Sequence, residues 1–551
     1  MQLILKNGSF LKPSNFLKPT NAKMLAWSIT GIFPLILLLV GIYFRIILGD
    51  FQNDPDYAYL LNGINILRFH APAQIDHPGT PVQLIVGLIS GFVWLIRTPF
   101  NGWILPADDV VLHPELYLLV ISLVLNALAS AALFVLGWRM FRYTGSPISA
   151  AVAQASIFFS FTALYLGLTK VAPEGLLLPL TLFLSAALVP AAFPSASPQP
   201  PQAGIIVGVL IGACLATKTN AMPLIFSIFI FRDRKMQVRT AAVAVLSAII
   251  FTLPVAGKYR EIFGYNWRML THNGRWGSGE QGMIAVSQYL TNIGNLYDAA
   301  PEIYISLTLC FILSILVSIG AVRSEKFELR RLLVVSAVMM IVQIAIVAKQ
   351  GQGYYLAPVS GIVCLANGGI CYLLLQGGIR RRMLGVAVVL ALMAHGLRHG
   401  GLSAVAPIYG AAAAQREDIA LQQRLAATTC RVVQGYESQT IPFKLLFGDN
   451  FADHQYLALL HKHYPDVIFY VENGRYFDTA TGILKTADID AWVGQQSCVY
   501  LLSSPLERFT PEVFGISPQH VTLIDRSQRG RVALYKIEPP TAGDSIFVKG
   551  P

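Results

Sequence analysis

The sequence predicts a mainly α, polytopic membrane protein of about 11 to 13 spans that carries a small soluble α/β domain at its C-terminal end. Three observations lead there. The 551 residues are 54% hydrophobic and only 13% charged, with a mean hydropathy of +0.55, where a soluble chain is nearer a quarter charged. Apolar runs repeatedly approach the roughly 20 residues that a helix needs to cross hydrocarbon. Beyond about residue 411 charged residues become common, and short β-type runs replace the long apolar ones.

The elements follow in order. Residues 1–23 carry Lys6, Lys12, Lys18 and Lys23 and no acid. The run from about Met24 to Leu48 is too long for a signal-peptide core and lacks a clear cleavage site. It reads as an uncleaved first span with a cytoplasmic N-terminus, so the first loop, 49–79, faces outward. In that loop Tyr57, Leu60, Leu61, Ile64 and Leu67 recur at helical spacing and predict a short helix on the membrane surface.

Apolar runs follow at about 80–97, 116–138, 148–168, 175–190, 203–217, 221–231, 240–256, 302–322, 332–348, 354–376 and 383–397. Residues 192–202, rich in Pro and Ser, form a loop. The basic links Arg232–Arg239, Arg323–Arg331 and Arg380–Arg382 belong on the cytoplasmic side. That puts 258–301, Lys349–Tyr355 and everything after about 398 outside. If every earlier run crossed, Arg232 would fall outside. Making 80–97 interfacial or re-entrant removes the conflict, with Arg139 and Arg142 inside and Lys170 and Lys218 outside; the alternative is one broken span over 203–231. Residues 1–400 therefore form the membrane module.

The tail, 411–551, forms an extracytoplasmic α/β domain of plausible single-domain size. Its expected strands are Pro442–Leu446, Asp466–Val471, Cys498–Leu502 and Val532–Ile537, with helices at Glu417–Thr428 and Tyr456–His463.

A net charge of +11 would suggest nucleic acid in a soluble chain. Here the cations sit in short links between apolar runs, the cytoplasmic bias of a membrane protein, and nucleic-acid binding is excluded. The six cysteines show no metal spacing. Cys214, Cys310, Cys364 and Cys371 lie in apolar runs and read as buried thiols, while Cys430 and Cys498 can pair outside the cytoplasm or remain two free thiols. No Asn-x-Ser/Thr sequon falls in the expected outer segments, which points to a bacterial plasma membrane.

Chemistry concentrates in Gly49–Gln83, where Asp50, Asp54, Asp56 and Asp76-His77-Pro78-Gly79 crowd a membrane boundary. Carboxylates are costly there and usually have a task. Asp54 and Asp56 can serve as general base or hold a divalent metal ion, or they simply cap the following helix. His77, just ahead of a proline suited to a first helical turn, can reach a phosphate or be a hydrogen-bonded bystander. Lys170 with Glu174, Lys218 and Lys349 interrupt apolar runs. Singly such lysines snorkel; together with outward aspartates they predict a polar cavity for an anionic headgroup. The loop 258–301 mixes aromatics with Arg260, Arg268, His272 and several glycines. It suits a mobile flap that contacts sugar and phosphate, or an interfacial aromatic belt.

The order of these motifs resembles a known family. A DxD-like first loop, His77-Pro78-Gly79 in the place of a His-Pro-Pro-Leu-like motif, Pro173-Glu174, Thr217-Lys218 and a Tyr-Tyr-Leu-x-Pro step from Tyr354 to Pro358 follow one another over about residues 25–400. This is similar to the polytopic GT-C fold glycosyltransferases, such as protein mannosyltransferases and lipid A aminoarabinose transferases. The resemblance implies a polyprenyl-phosphate sugar donor and inverting transfer to a lipid, glycan or protein acceptor on the outer face. Asp56 best matches the family's first-loop carboxylate, with Asp54 next. The chain departs from the family in having Asp-Tyr where an Asp-Glu pair is usual and HPGT for HPPL.

The expected function is therefore a membrane glycosyltransferase with Asp56 or Asp54 as base. Lys218, Lys349, Arg268 and His77 would neutralise the phosphate, and Tyr354 and Tyr355 would line the lipid or sugar path. The competing reading is a transporter or flippase for a lipid-linked anion, which also needs buried lysines.

Overall fold

The structure is a computed structural model. It describes residues 19–49, 51–76, 78–193, 202–273, 277, 279–319, 327–376, 383, 385, 387, 388, 391, 394–426, 430–435, 438, 440–465, 467–472, 475–478, 482–484, 493, 498–503, 520–528 and 532–538. Asp50, His77, Arg275 and most of the 383–397 run lie outside these.

The chain is mainly helical, with one mixed sheet near its C-terminal end. Helix α1 (Pro19–Leu48) leads into a tight turn at Asn53–Tyr57, then α2 (Ala58–Leu67), α3 (Thr80–Asn101) and α4 (Pro106–Leu112). Helices α5 (Pro114–Thr144), α6 (Pro147–Ala155), α7 (Phe161–Thr169), α8 (Pro173–Ala192), α9 (Gln202–Thr217) and α10 (Arg234–Thr252) follow, with a 3-10 segment, Thr219–Ile230, before α10. Next come α11 (Tyr259–Thr271), α12 (Val286–Ala299), α13 (Pro301–Ser318), α14 (Phe327–Ala348), a 3-10 turn Gly353–Val359 and α15 (Ser360–Leu375).

Eight helical segments among the described residues are long and apolar enough to cross a bilayer, nine if α6 and α7, bent by 74° at Ser160, make one broken span. The expected 11 to 13 was an estimate from run lengths, and most of the 383–397 run lies outside the described residues. The runs in α9 and Thr219–Ile230 form helices too short to qualify alone. Between them Lys218 takes an extended backbone, so the chain reverses there. Helices α9 and α10 run side by side in parallel, because Gly204, Gly208 and Gly212 let their backbones meet: a Cβ on Gly208 would lie 2.7 Å from the Thr240 carbonyl oxygen.

Helix α3 has the length of a span, yet both its ends are held by elements around the first loop. Its start follows Asp76, and at its far end Arg97 pairs at 2.9 Å with Asp109, which also accepts from Tyr117 in the first turns of α5. Leu88, Phe92, Leu95, Ile96 and Phe100 stay exposed along it.

Helix α2 forms where the periodicity placed it, but it does not lie open on a membrane surface. Ala58 through Asn65 are all buried. It is roofed by the tail: α17 (Ile441–Asn450) and α18 (Leu457–His463) share a core with it, in which Phe443, Leu446, Tyr456 and Leu460 pack with Tyr57, Leu60, Leu61, Val86 and Ile121. The strand expected at Pro442–Leu446 is the start of α17. Proline cannot donate to a ladder but suits a first helical turn, and Thr440 caps that turn by accepting from the Phe443 amide.

The tail begins without a linker, since α16 (Leu402–Ala426) runs continuously through residue 411. The remaining strands are β1 (Arg431–Gln434), β2 (Ile468–Glu472), β3 (Arg475–Asp478), β4 (Gly482–Leu484), β5 (Val499–Ser503), β6 (Val521–Arg526) and β7 (Ala533–Ile537). They make one sheet in the order β4-β3-β2-β1-β5-β7-β6, with β1 parallel to both β2 and β5. Cys430 and Cys498 form a disulfide at the starts of neighbouring β1 and β5. The other four cysteines are free and buried.

Candidate functional site

The first loop, the α7–α8 break, the Lys218 reversal and the turn at Gly353–Val359 converge on one cavity of about 530 Å³. Asp54, Tyr59, Asp76, Lys170, Glu174 and Lys218 provide its polar wall, and Tyr265, Tyr354, Tyr355 and Phe451 its aromatic one. It meets a second space of about 960 Å³, a groove walled by Met222, Phe263, Trp267, Leu270, Met283 and Ile346. Asp76, Lys218, Tyr265 and Tyr355 border both. A chamber with charged walls thus borders an apolar trough along Asp76, Lys218, Tyr265 and Tyr355.

The two aspartates of the DPD step have different surroundings. Asp56 is fully buried, and its carboxylate accepts from the Gln52 amide at 2.9 Å and the Val171 amide at 2.6 Å, with the Lys170 ammonium 3.8 Å away. It ties the first loop to the α7–α8 break. Asp54, by contrast, lines the chamber. Burial, and then the charge of Asp56, raise its carboxyl above the ordinary value, with Lys170 pulling the other way. Burial likewise raises Asp76. Neither Gln52 ahead of the turn nor Tyr57 ahead of α2 makes a side-chain cap, and Asp54 takes an extended backbone just before Pro55. Asp56 already accepts from two amides with a lysine nearby, and among the described residues no three His, Cys, Asp or Glu side chains gather as a metal site.

Lys170 closes α7 and is buried, which lowers its ammonium to about 8 despite the nearby carboxylate of Asp56. Lys218 donates to Glu174 in the first turn of α8, both side chains being buried, and lies 4.3 Å from the centre of the Tyr355 ring. The Tyr355 backbone is fixed in turn, since its carbonyl accepts from Asn220 and Gln343, each at 2.8 Å. Thr219 donates to Asn266 at 2.8 Å and so fastens α11 beside the junction.

Lys349 stands at the groove and donates to the Leu270 carbonyl at the end of α11. Arg268 borders neither space, and His77 lies outside the described residues.

Several wall residues escaped the sequence reading. Tyr59 carries a buried hydroxyl that has no hydrogen-bond partner among the described residues, and it faces the chamber. Asn62 is a hub: its side-chain oxygen accepts from the Ala73 and Gln74 amides, and its nitrogen donates to the Phe451 carbonyl at 2.7 Å. One buried asparagine thereby sets two parts of the wall, one of them from the tail. An Asn on the inward face of an apolar helix was the only available signal. Nothing in the sequence announced Phe451.

No family model matches the chain, and no curated protein matches it. Among solved structures it is similar to that of ArnT from Cupriavidus metallidurans bound to undecaprenyl phosphate, with 14% identity, a TM-score of 0.49 and coverage of 95% of this chain and 100% of the other. The apo state of the same protein gives 12% identity, a TM-score of 0.47, and coverage of 93% and 98%. Likeness at this level assigns neither family nor activity, and the chemistry has to be read from the chamber itself.

Proposed function

We propose that this protein transfers a sugar from a polyprenyl-phosphate donor to an acceptor in the chamber, on the outer face of the membrane. The observation that carries the reading is the shared border at Lys218 and Tyr355, which joins an apolar groove to a carboxylate-bearing chamber. A prenyl chain suits the groove, its phosphate suits Lys218, and the sugar suits the aromatic wall of the chamber.

The step is a single displacement. An acceptor hydroxyl or amine attacks the anomeric carbon, the bond from that carbon to the phosphate oxygen breaks, and the electron pair leaves on the phosphate. Asp54 takes the acceptor's proton, and the Lys218 ammonium offsets the charge growing on the leaving oxygen. The geometry thus favours Asp54 over Asp56, the reverse of the sequence ranking, because only Asp54 borders the space an acceptor can enter. Asp56 becomes the residue that holds the loop in place.

Transfer from a radiolabelled polyprenyl-phosphate sugar tests this. Asp54→Asn is expected to lower kcat by about 10²–10⁴-fold while leaving thermal stability near wild type. Asp56→Asn should instead lower stability first. Because Asp54 must be ionised and its carboxyl is raised, the acid limb of kcat/KM should lie above the ordinary carboxylate range. Full activity in Asp54→Asn would overturn the assignment, and movement of intact donor across a vesicle membrane would favour the transporter.

A further inference from the structure

A second cavity lies at the other end of the membrane module. Helix α8 starts at Pro173, with Glu174 in the chamber wall, and runs 20 residues, roughly 30 Å at 1.5 Å per residue. Where it ends, its last turns meet the last turns of α5 and the first of α9 around a space of about 270 Å³, room for about nine waters at about 30 Å³ each. Trp138, Arg139, Arg142, Tyr143 and Gln202 supply its polar and aromatic lining, and none of the lining residues is acidic.

From these residues we infer that this is a binding site for a phosphate-bearing anionic phospholipid headgroup of the cytoplasmic leaflet. Arg139 spends one guanidinium nitrogen on the Ala186 carbonyl at 3.1 Å, which fixes the fork and leaves its other donors available. Arg142 is exposed and makes no hydrogen bond or ion pair among the described residues. Two planar forks at one cavity suit a phosphodiester, and the flanking Trp138 and Tyr143 suit the headgroup level, where such rings collect. The first turn of α10 packs beside the start of α9, but Arg234 and Lys235 lie outside the cavity lining, and Asp233 is engaged in capping its own helix through the Lys235 amide. Ordinary cytoplasmic bias accounts for cations on this face; it does not account for two of them sharing a walled space with two aromatics.

The test is lipid retention by the full chain, read by native mass spectrometry after exposure to mixed phosphatidylglycerol and phosphatidylcholine. Wild type should retain phosphatidylglycerol preferentially. Arg142→Gln should reduce that retention by about fivefold and Arg139→Gln/Arg142→Gln by about 25-fold, while Arg234→Gln, outside the cavity, should leave it nearly unchanged. Equal losses in Arg142→Gln and Arg234→Gln would reduce the site to diffuse surface charge and overturn the inference. So would displacement of the lipid by millimolar inorganic phosphate that itself binds in an Arg142-dependent way, because the occupant would then be a soluble anion.

Discussion

Tyr456 is the sharpest probe of how the tail and the membrane module depend on each other. The side chain is 1% exposed, and its hydroxyl donates towards the Leu61 carbonyl at 3.0 Å and the Asn65 side-chain oxygen at 2.8 Å, both on α2. Tyr456→Phe keeps the ring and strips the donor, leaving a buried acceptor on α2 short of a partner at a cost of about 1–3 kcal/mol. Tyr456→Ala also opens a cavity in the core shared with Tyr57 and Leu60, which raises the cost to about 3–5 kcal/mol. Folded domains typically hold only about 5–15 kcal/mol in all, so the larger truncation should free α17 and α18 from α2. Phe451 sits between these two helices and would leave the chamber wall with them. Thermal unfolding in lipid nanodiscs, limited proteolysis across 441–464 and a transfer assay would follow the three consequences. The alanine variant should melt earlier, be cut within that segment and lose activity, with the phenylalanine variant in between. An alanine variant with wild-type melting and cleavage would refute the shared core, and the tail would then be an autonomous domain.

Two further outcomes follow from buried charge. Lys218→Met strands Glu174 without its partner, and breaking a buried pair costs about 3–5 kcal/mol. Adding Glu174→Gln should recover most of that stability but leave transfer depressed by about 10²–10³-fold, since the cation at the chamber–groove junction is still missing; a double variant of full activity would remove Lys218 from the reaction. Asp449 is fully buried, and burial raises its carboxyl to about 7, with the Tyr456 amide opposing. A carboxyl raised in the folded state adds stability that is whole below its unfolded value of 3.8 and fades as pH climbs towards 7. Resistance of the 441–464 segment to proteolysis should therefore weaken between these pH values, by at most about 1.4 kcal/mol per unit, and Asp449→Asn should flatten the dependence; an unchanged slope in that variant would place the titrating group elsewhere.

What the sequence alone determined was everything that depends on local composition. Runs of apolar residues must be helical in hydrocarbon because no other backbone arrangement satisfies its own amides there, so the membrane class and the larger helices were legible. So was the concentration of charge at Asp54, Lys170, Glu174 and Lys218, since charged groups at a membrane boundary stand out against apolar neighbours. The rest required three dimensions. Asp54 and Asp56 are two residues apart and chemically alike; that Asp56 accepts from the amide of Val171, more than a hundred positions away, while Asp54 lines the cavity, is visible only in the tertiary structure. The α17 helix looked like a strand because five residues carry little periodicity, and its Thr440 cap gains meaning only once its neighbours are known. Phe451 reaches the chamber because Asn62 holds its carbonyl across 389 positions, and no local pattern encodes a contact of that span.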